Sequence, residues 1–341
     1  SQKSMRAADI GEFKIDTTAY TSAAATTATS TLTSTGFTVL GKDGSAAAAV
    51  TAGASAATLA AAVNTDTSAT GVKASAHTAI RFSMSGNPGG QTSMTLQGGG
   101  SAVNISASVT SKSDLSALLS AVNTYSSTTG VTAEFDGSDK SKLILREANG
   151  DNIKISDFSA YDTAATPVAL TSSVEKQSNY EGTAWAASPI TLTSGVADST
   201  IATGVVRMSS SNTFTISGGT ATTGYNGTAT TAASSLSKIS EVSISTQTGA
   251  TSAIGVIDTA LGMVSESRAA LGAVSNRLDS TISNLTNISA NLEAGRSSIQ
   301  DADFAAESTN LAKNQILSQA STAMLAQANA SKQGVLQLLQ G

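Results

Sequence analysis

The sequence predicts an α+β multidomain chain: long carboxy-terminal helices of coiled-coil type, with β-rich outer modules that contain two α/β repeats. Three observations predict it. From about Ile239 to Gly341 there is no proline, although Pro88, Pro167 and Pro189 stand earlier, and apolar residues recur at helical spacing. A motif that starts at Leu59 returns at Leu118, with matching residues at one constant offset. Residues from about 159 to 238 alternate apolar and polar in part, with Gly and Ser between the runs.

Composition bounds the rest. A chain of 341 residues exceeds what one core usually organises, so two or more domains are expected. Aromatics make up 4% and charged residues 13%, so the cores have to be thin layers of Ala, Val, Ile and Leu, not large aromatic clusters. A net charge of -5 argues against nucleic acid as a partner, because phosphates call for clustered Lys and Arg. The absence of cysteine excludes disulfides, thiolate metal sites and cysteine nucleophiles. No stretch approaches the roughly eighteen apolar residues of a bilayer-spanning helix, so no membrane insertion is expected. No apolar run of a secretory signal follows Ser1-Gln-Lys-Ser-Met-Arg-Ala-Ala8.

In chain order, residues 1–35 read as a linker with one short strand at Phe13-Lys-Ile-Asp16. Residues 36–158 read as an outer module with two repeats. Leu59-Ala-Ala-Ala-Val-Asn-Thr65 and Ser68-Ala-Thr-Gly-Val-Lys-Ala74 return as Leu118-Leu-Ser-Ala-Val-Asn-Thr124 and Ser127-Thr-Thr-Gly-Val-Thr-Ala133. In each copy Leu and Val four apart make a helix stripe, Asn-Thr begins the exit, and Gly-Val starts a strand. Asn149-Gly150 between Leu143-Ile-Leu145 and Ile153-Lys-Ile155 is a hairpin signal, and Asn87-Pro-Gly-Gly90 is its looser counterpart. Residues 159–238 read as a second, β-rich outer module, with strands at Ile190-Thr-Leu192, Val205-Val-Arg-Met208 and Thr213-Phe-Thr-Ile216. Trp185 is expected to pack in its core.

Residues 239–300 read as a helical rod. Ile257, Leu261, Val264, Leu271, Leu278, Ile282, Leu285, Leu292 and Ile299 fall on steps of three and four, which keeps one stripe facing a partner helix. Arg268, Ser275, Ser289 and Arg296 interrupt that seam, and Gly255, Gly262, Gly272 and Gly295 each cost about 1 kcal/mol of helix relative to Ala. Such a helix needs partners. Asp301 and Asp303, which can cap a helix start, place a break near residue 300, and residues 301–341 read as a terminal core helix. Phe304, Leu311 and Leu325 share one of its stripes, while Leu317, Ala320 and Met324 share another; Ile316, Val335 and Leu338 add to the apolar surface. A helix apolar on several sides has to be buried on several sides. Residues 304–339 are therefore expected to be disordered in a free subunit and helical once covered.

These residues also carry a likeness. Ile244-Ser-Thr-Gln-Thr-Gly-Ala-Thr-Ser-Ala-Ile254, Arg268-Ala-Ala-Leu-Gly-Ala-Val-Ser-Asn-Arg-Leu-Asp279, Ile299-Gln-Asp-Ala-Asp-Phe-Ala-Ala-Glu307, Gln315-Ile-Leu317, Leu325-Ala-Gln-Ala-Asn329 and Val335-Leu-Gln-Leu-Leu-Gln-Gly341 together resemble the carboxy-terminal arm of bacterial flagellin. The repeat resembles one found in the variable regions of flagellins and hook-associated proteins. The resemblance implies a structural subunit that polymerises into the extracellular flagellar filament, is exported through the flagellar apparatus, and folds fully only as neighbours cover its helices. It also implies hook-associated proteins, an export chaperone and a filament cap as partners. The amino-terminal arm of that family is not among these residues, so the chain reads as a variable region plus a carboxy-terminal arm. The alternatives are a hook–filament junction protein, or a glycan-binding or adhesive role of the outer modules.

No enzyme and no cofactor are expected. One histidine, His77, cannot supply the two of a helix-borne zinc protease, and it reads as a surface residue with no nucleophile motif around it. Gly98-Gly-Gly100 lacks the Lys-Ser/Thr of a phosphate loop, and Asp136-Gly-Ser-Asp139 lacks the further ligands of a calcium loop and reads as a hairpin turn.

Overall fold

The computed structural model describes residues 9–27, 30, 36–162, 169–218, 231–245, 247–339 and 341. The chain divides into two units, Ser1–Ser265 and Glu266–Gly341. In order, the elements begin with β1 (Gly11–Asp16), β2 (Phe37–Leu40), β3 (Ser45–Ala48), α1 (Ala56–Thr65), α2 (Thr67–Thr70), β4 (Lys73–Met84), β5 (Gly90–Gln97) and β6 (Val103–Val109). There follow α3 (Ser116–Thr124), α4 (Ser126–Thr129), β7 (Val131–Asp136), β8 (Asp139–Glu147), β9 (Ile153–Ala160), β10 (Thr171–Lys176) and β11 (Ile190–Thr193). The remainder are β12 (Thr200–Ala202), β13 (Val205–Ser210), β14 (Thr215–Ser217), β15 (Thr231–Ala233), β16 (Ser235–Lys238) and the long helix α5 (Gln247–Leu338). The chain is thus a mixture of antiparallel sheets and a long carboxy-terminal helix.

The twelve-residue β4 organises the first unit. Its first half bonds β13 from Lys73 to His77, and its second half bonds β8 from Thr78 to Ser83 and β10 from Ile80 to Met84. β11 and β7 extend this sheet beyond β10 and β8, while β1 and β16 extend it beyond β13. Two four-stranded sheets, β12-β9-β5-β6 and β15-β14-β2-β3, complete the unit. One core holds Ile80, Phe82, Met94, Leu96, Ile105, Leu118, Val122, Leu143, Leu145, Phe158 and Val174. The other holds Ile15, Phe37, Val39, Leu59, Val63, Val72, Val206, Met208, Phe214 and Ile216. Small aliphatic side chains dominate, as the composition requires, with an edge-to-face pair, Phe82 and Phe158, in the first core.

Both copies of the Leu…Val-Asn-Thr segment are helices, and one set of bonds recurs in each. The Asn64 side chain donates to Ala74 O and accepts from Ala74 N, both at 2.8 Å. Asn123 does the same with Ala133, at 2.9 and 2.8 Å. Thr70 and Thr129 each donate to the carbonyl four residues back and accept from the amide two residues on. Gly71 and Gly130 then turn the chain with φ of 70° and 77°, where a Cβ would be strained. The repeated sequence is therefore a clamp that ties a helix exit to the start of the next strand.

Several expectations need correction. Asn149-Gly150 does not close a hairpin, because β8 and β9 lie in different sheets. The buried Glu147 carboxylate takes the amides of Asn149 and Asp151, and Gly150 O accepts from Ala57 N, so the turn becomes a corner that seats the start of α1. Asn87-Pro-Gly-Gly90 likewise carries the chain from the β4 sheet to the β5 sheet. The hairpins stand elsewhere: β7 and β8 join through Asp136-Gly-Ser-Asp139, and β5 and β6 through Gly98-Gly-Gly100. A Cβ on Gly100 would overlap the Thr128 carbonyl, so the glycines there serve close backbone approach to α4. Residues 36–158 and 159–238 do not form separate sheets either, since β10 and β13 both bond β4. β1, placed in a linker by the sequence, is bonded on both edges by β13 and β16; the rest of that linker is described only to Thr27 and at Ser30, and its other residues lie outside the described ones.

Removing the partly buried clamp with Asn123→Ala should lower the unfolding free energy of the first unit by about 1–3 kcal/mol, since Ala133 loses both partners. Asn64→Ala, at a more exposed site, should cost less. Urea midpoints measure both, and an unchanged midpoint for Asn123→Ala would show that the strand start needs no such tie.

Candidate assembly surface

Helix α5 begins in the first unit, where Ala253, Val256 and Ala260 are 2–4% exposed. After them its large apolar side chains are open. Ile257, Leu261, Val264, Leu271, Leu278, Ile282, Leu285, Leu292, Ile299, Phe304, Leu311, Ile316, Leu317, Met324, Leu325, Val335 and Leu338 are all exposed, from 36% at Val264 to 84% at Leu338. The structure places every sequence-selected residue on this helix and leaves each of them exposed.

Their arrangement is more regular than the interrupted seam suggested. Ile257, Val264, Leu271, Leu278, Leu285, Leu292 and Ile299 form an unbroken row at seven-residue steps. One flanking row is Leu261, Arg268, Ser275, Ile282, Ser289 and Arg296; the other is Ala260, Ser267, Val274, Thr281, Ile288 and Gly295. Val274 and Ile288, 49% and 46% exposed, thus stand beside the polar gaps at Ser275 and Ser289. Sequence reading missed these two because it followed one flank only; it also omitted Ile254, Leu336 and Leu339. The signal was the apolar residue directly before each serine. A central apolar row with two partly apolar flanks makes a broader stripe than a narrow two-stranded seam needs.

The expected break near residue 300 is absent: α5 runs through Asp301 and Asp303 without interruption. What changes there is phase. Phe304 follows Ile299 by five residues, a turn of roughly 140° about the helix axis at about 100° per residue. The carboxylates that suggested a helix start lie mid-helix instead, and residues 304–338 continue the helix with open apolar faces. A Cβ on Gly262, Gly272, Gly295 or Gly334 would meet nothing within 4 Å, so nothing in the described residues requires these glycines.

A second place holds polar chemistry. A cleft of about 520 Å³ in the first unit is lined by His77, Thr132, Glu134, Arg146, Glu147, Ala148, Tyr180, Glu181, Gly182, Arg207 and Ser252. Its charges are already matched. Arg207, only 6% exposed, makes a bidentate pair with Asp16 at 2.6 Å and bonds Glu181, and these carboxylates hold its guanidinium above its usual range despite burial. Arg146 pairs Glu134 at 2.5 Å. His77 is not a surface residue: it is half-buried, meets Tyr180 edge-on at 4.5 Å, and lies 2.8 Å from Gln177 Nε2. Burial, with Arg146 and Arg207 nearby, lowers its pKa to about 4. Trp185 does not fill a core either; it is half-exposed and lies under the Arg81 guanidinium at 5.3 Å, because Asp136 and Glu175 hold that arginine at the surface. Among the described residues no three His, Asp or Glu side chains gather as metal ligands, and no helix is long and apolar enough to cross a membrane.

Comparison with known proteins follows these features closely. Residues 254–339 match the family model of the bacterial flagellin C-terminal helical region, and residues 93–149 match the flagellin hook IN motif. The chain is 40% identical over 270 residues to B-type flagellin of Pseudomonas aeruginosa, which covers 79% of this chain and 52% of that relative. It is 54% identical over 96 residues to a flagellin of Halalkalibacterium halodurans, covering 28% of this chain and 35% of the relative. The chain thus spans about half the length of the first of these curated relatives and about a third of the second. A solved flagellar cap protein from Helicobacter pylori is 12% identical with a TM-score of 0.19 over 44% of this chain and 57% of that one, too low to bear on the fold. Both matched regions are regions of flagellins. In its carboxy-terminal helical region and its hook IN motif, the chain is similar to flagellins.

The histidine yields a pH dependence with a definite sign. Its folded pKa of about 4 lies below the ordinary 6.5, so its contribution is intact above pH 6.5 and is lost as pH falls from 6.5 towards 4. Protonation would set an imidazolium N–H against the Gln177 amide N–H and a third cation beside Arg146 and Arg207. His77→Gln should remove this loss of stability over that window, by no more than about 3 kcal/mol. Urea unfolding at pH 7 and pH 5 measures it; equal acid sensitivity in both proteins would exclude His77 as the cause.

Proposed function

We propose that the chain is part of a flagellin subunit that polymerises into the extracellular filament used for bacterial motility. The observation that carries this reading is the continuous exposed apolar surface of α5, which coincides with the flagellin C-terminal match at residues 254–339. Burying a Leu, Ile or Met side chain contributes about 1.5–3 kcal/mol, so covering many of them offsets the ordering of a glycine-bearing helix only when neighbours are present. Ile257 to Ile299 form the inner rod surface in coiled-coil-type packing, and Phe304 to Leu338 form the terminal core; residues 239–300 and 301–341 are the two assembly segments. Residues 36–238 act as outer modules. Within them the segment around Leu59, outside the hook IN match, is a second unit of the same kind, supported by the shared asparagine clamp. Other copies of the subunit are the principal partners. Hook-associated proteins, an export chaperone and the filament cap are further ones.

Leu325→Asp tests the reading. Leu325 is 63% exposed, so the substitution should leave the first unit's thermal unfolding unchanged. In a packed polymer it places an unpaired carboxylate in an apolar layer, which is strongly disfavoured. In the full-length protein it should abolish filament growth, read by sedimentation and electron microscopy. Normal filaments from this variant would remove residues 304–338 from the contact set.

A further inference from the structure

The first turns of α5 rest on a charged group. Glu12, in β1, is 4% exposed although its strand lies between β13 and β16. Helix α5 approaches it at Gly255, where an ideal Cβ would lie 3.4 Å from both Glu12 carboxylate oxygens. Ala253, Val256 and Ala260 in the same turns are buried, and Ser252 Oγ stands 3.5 Å from Glu181 Oε1. A carboxylate this buried, with helix backbone against it, has lost its water on that side.

Its polar neighbours do little to compensate. From β13, Ser209 supplies a hydrogen bond, and Arg207 lies near but is committed to Asp16 and Glu181. From β1, Lys14 attracts the carboxylate and Asp16 repels it, and Lys14 is itself 3.6 Å from Glu181. From β16, Ser237 faces Glu12 in register, and the adjacent Lys238 pairs Glu241. No cation is dedicated to Glu12 among these groups.

We propose that the seat of α5 on β1 is a protonation-sensitive latch, in which Glu12 beneath Gly255 holds the helix start down when neutral and loosens it when ionised. Burial raises the Glu12 pKa above its ordinary 4.5, ahead of the opposing attraction of Arg207 and Lys14. A carboxyl group with a raised folded pKa contributes stability that is complete below pH 4.5 and is lost as pH rises through the folded value. This sign is opposite to that of His77, so the two can be separated. A side chain at 255 would fill the remaining space over the carboxylate and desolvate it further.

Amide exchange in the full chain, corrected for the intrinsic pH dependence of exchange, provides the test. Protection of residues 253–260 should fall as pH is raised from 4.5 to 8, while β9 amides do not follow it. In Glu12→Gln that fall should vanish, and the helix start should be as protected at pH 8 as the parent is at pH 4.5. Gly255→Ala should move the midpoint to higher pH. A carboxyl carbon titration of Glu12 in the unaltered protein gives an independent reading that does not depend on any variant folding. A Glu12 midpoint at or below 4.5 overturns the proposal. So does an unchanged pH dependence of residues 253–260 in Glu12→Gln.

Discussion

Uncovered apolar surface on α5 is the constraint from which the rest of the molecule is best understood. A helix of 92 residues is about 140 Å long at about 1.5 Å per residue. After Ala260 most of its large apolar side chains are open, whereas most of those before α5 fill two closed cores. Helix propensity cannot stabilise such an element alone, because Gly262, Gly272, Gly295 and Gly334 each cost about 1 kcal/mol relative to Ala. Stability has to come from burial against something else. The first unit satisfies its own surface and can fold around β4; the helix cannot satisfy its own. The division into Ser1–Ser265 and Glu266–Gly341 falls shortly after Ala260, the last buried residue of α5.

Inside the first unit the same scarcity of bulky side chains is handled by close approach and by polar ties. Gly98 and Gly100 let the β5–β6 turn touch the backbone of α4, and Gly204 lies where a Cβ would overlap the His77 carbonyl. Where apolar volume is thin, side chains bond backbone: Asn64, Asn123, Thr70, Thr129 and Glu147 each fix a turn or corner. Arg207 does this across elements, since its two carboxylates come from β1 and from the loop at Glu181. Such pairs are not large net sources of stability. Their effect is on arrangement: a strand displaced by one residue would leave Arg207 buried and unpaired.

Much of the helix was legible in the sequence and little of the sheet topology was. Leu59, Val63, Leu118 and Val122 are the buried faces of α1 and α3, as a four-residue spacing requires. The apolar rows of α5 were legible for the same reason: helix periodicity is local. Strand pairing is not. Asn149-Gly150 has the chemistry of a tight hairpin turn, yet Gly150, at φ 90°, serves a corner, because Glu147 captures the amides that a hairpin would have paired. That capture depends on burial of Glu147 by residues distant in sequence. His77 and Trp185 were misplaced for a related reason: their surroundings come from Gln177, Tyr180 and Arg81, and no local pattern announces those contacts.

The misread break near residue 300 is the most informative of these. Sequence reading took two aspartates as a helix start, and the backbone shows none; yet the apolar pattern does change there. Before Ile299 the central row repeats every seven residues, which drifts by roughly 20° per repeat on a straight helix and favours a gentle left-handed wrap around a partner. After Phe304 that row does not continue: Lys313 and Gln327 occupy two of its next positions. Apolar side chains instead stand on two sides, Leu311 and Leu325 on one and Leu317 and Met324 on the other. A single partner following the first row would meet Lys313 and Gln327 in the second stretch, while the side carrying Phe304, Leu311 and Leu325 faced water. The two stretches of one continuous helix therefore demand different surroundings, neighbours along one broad stripe for the first and neighbours on two sides for the second. Aspartates 301 and 303 mark the change because polar residues are tolerated where one apolar pattern ends and the next has not begun.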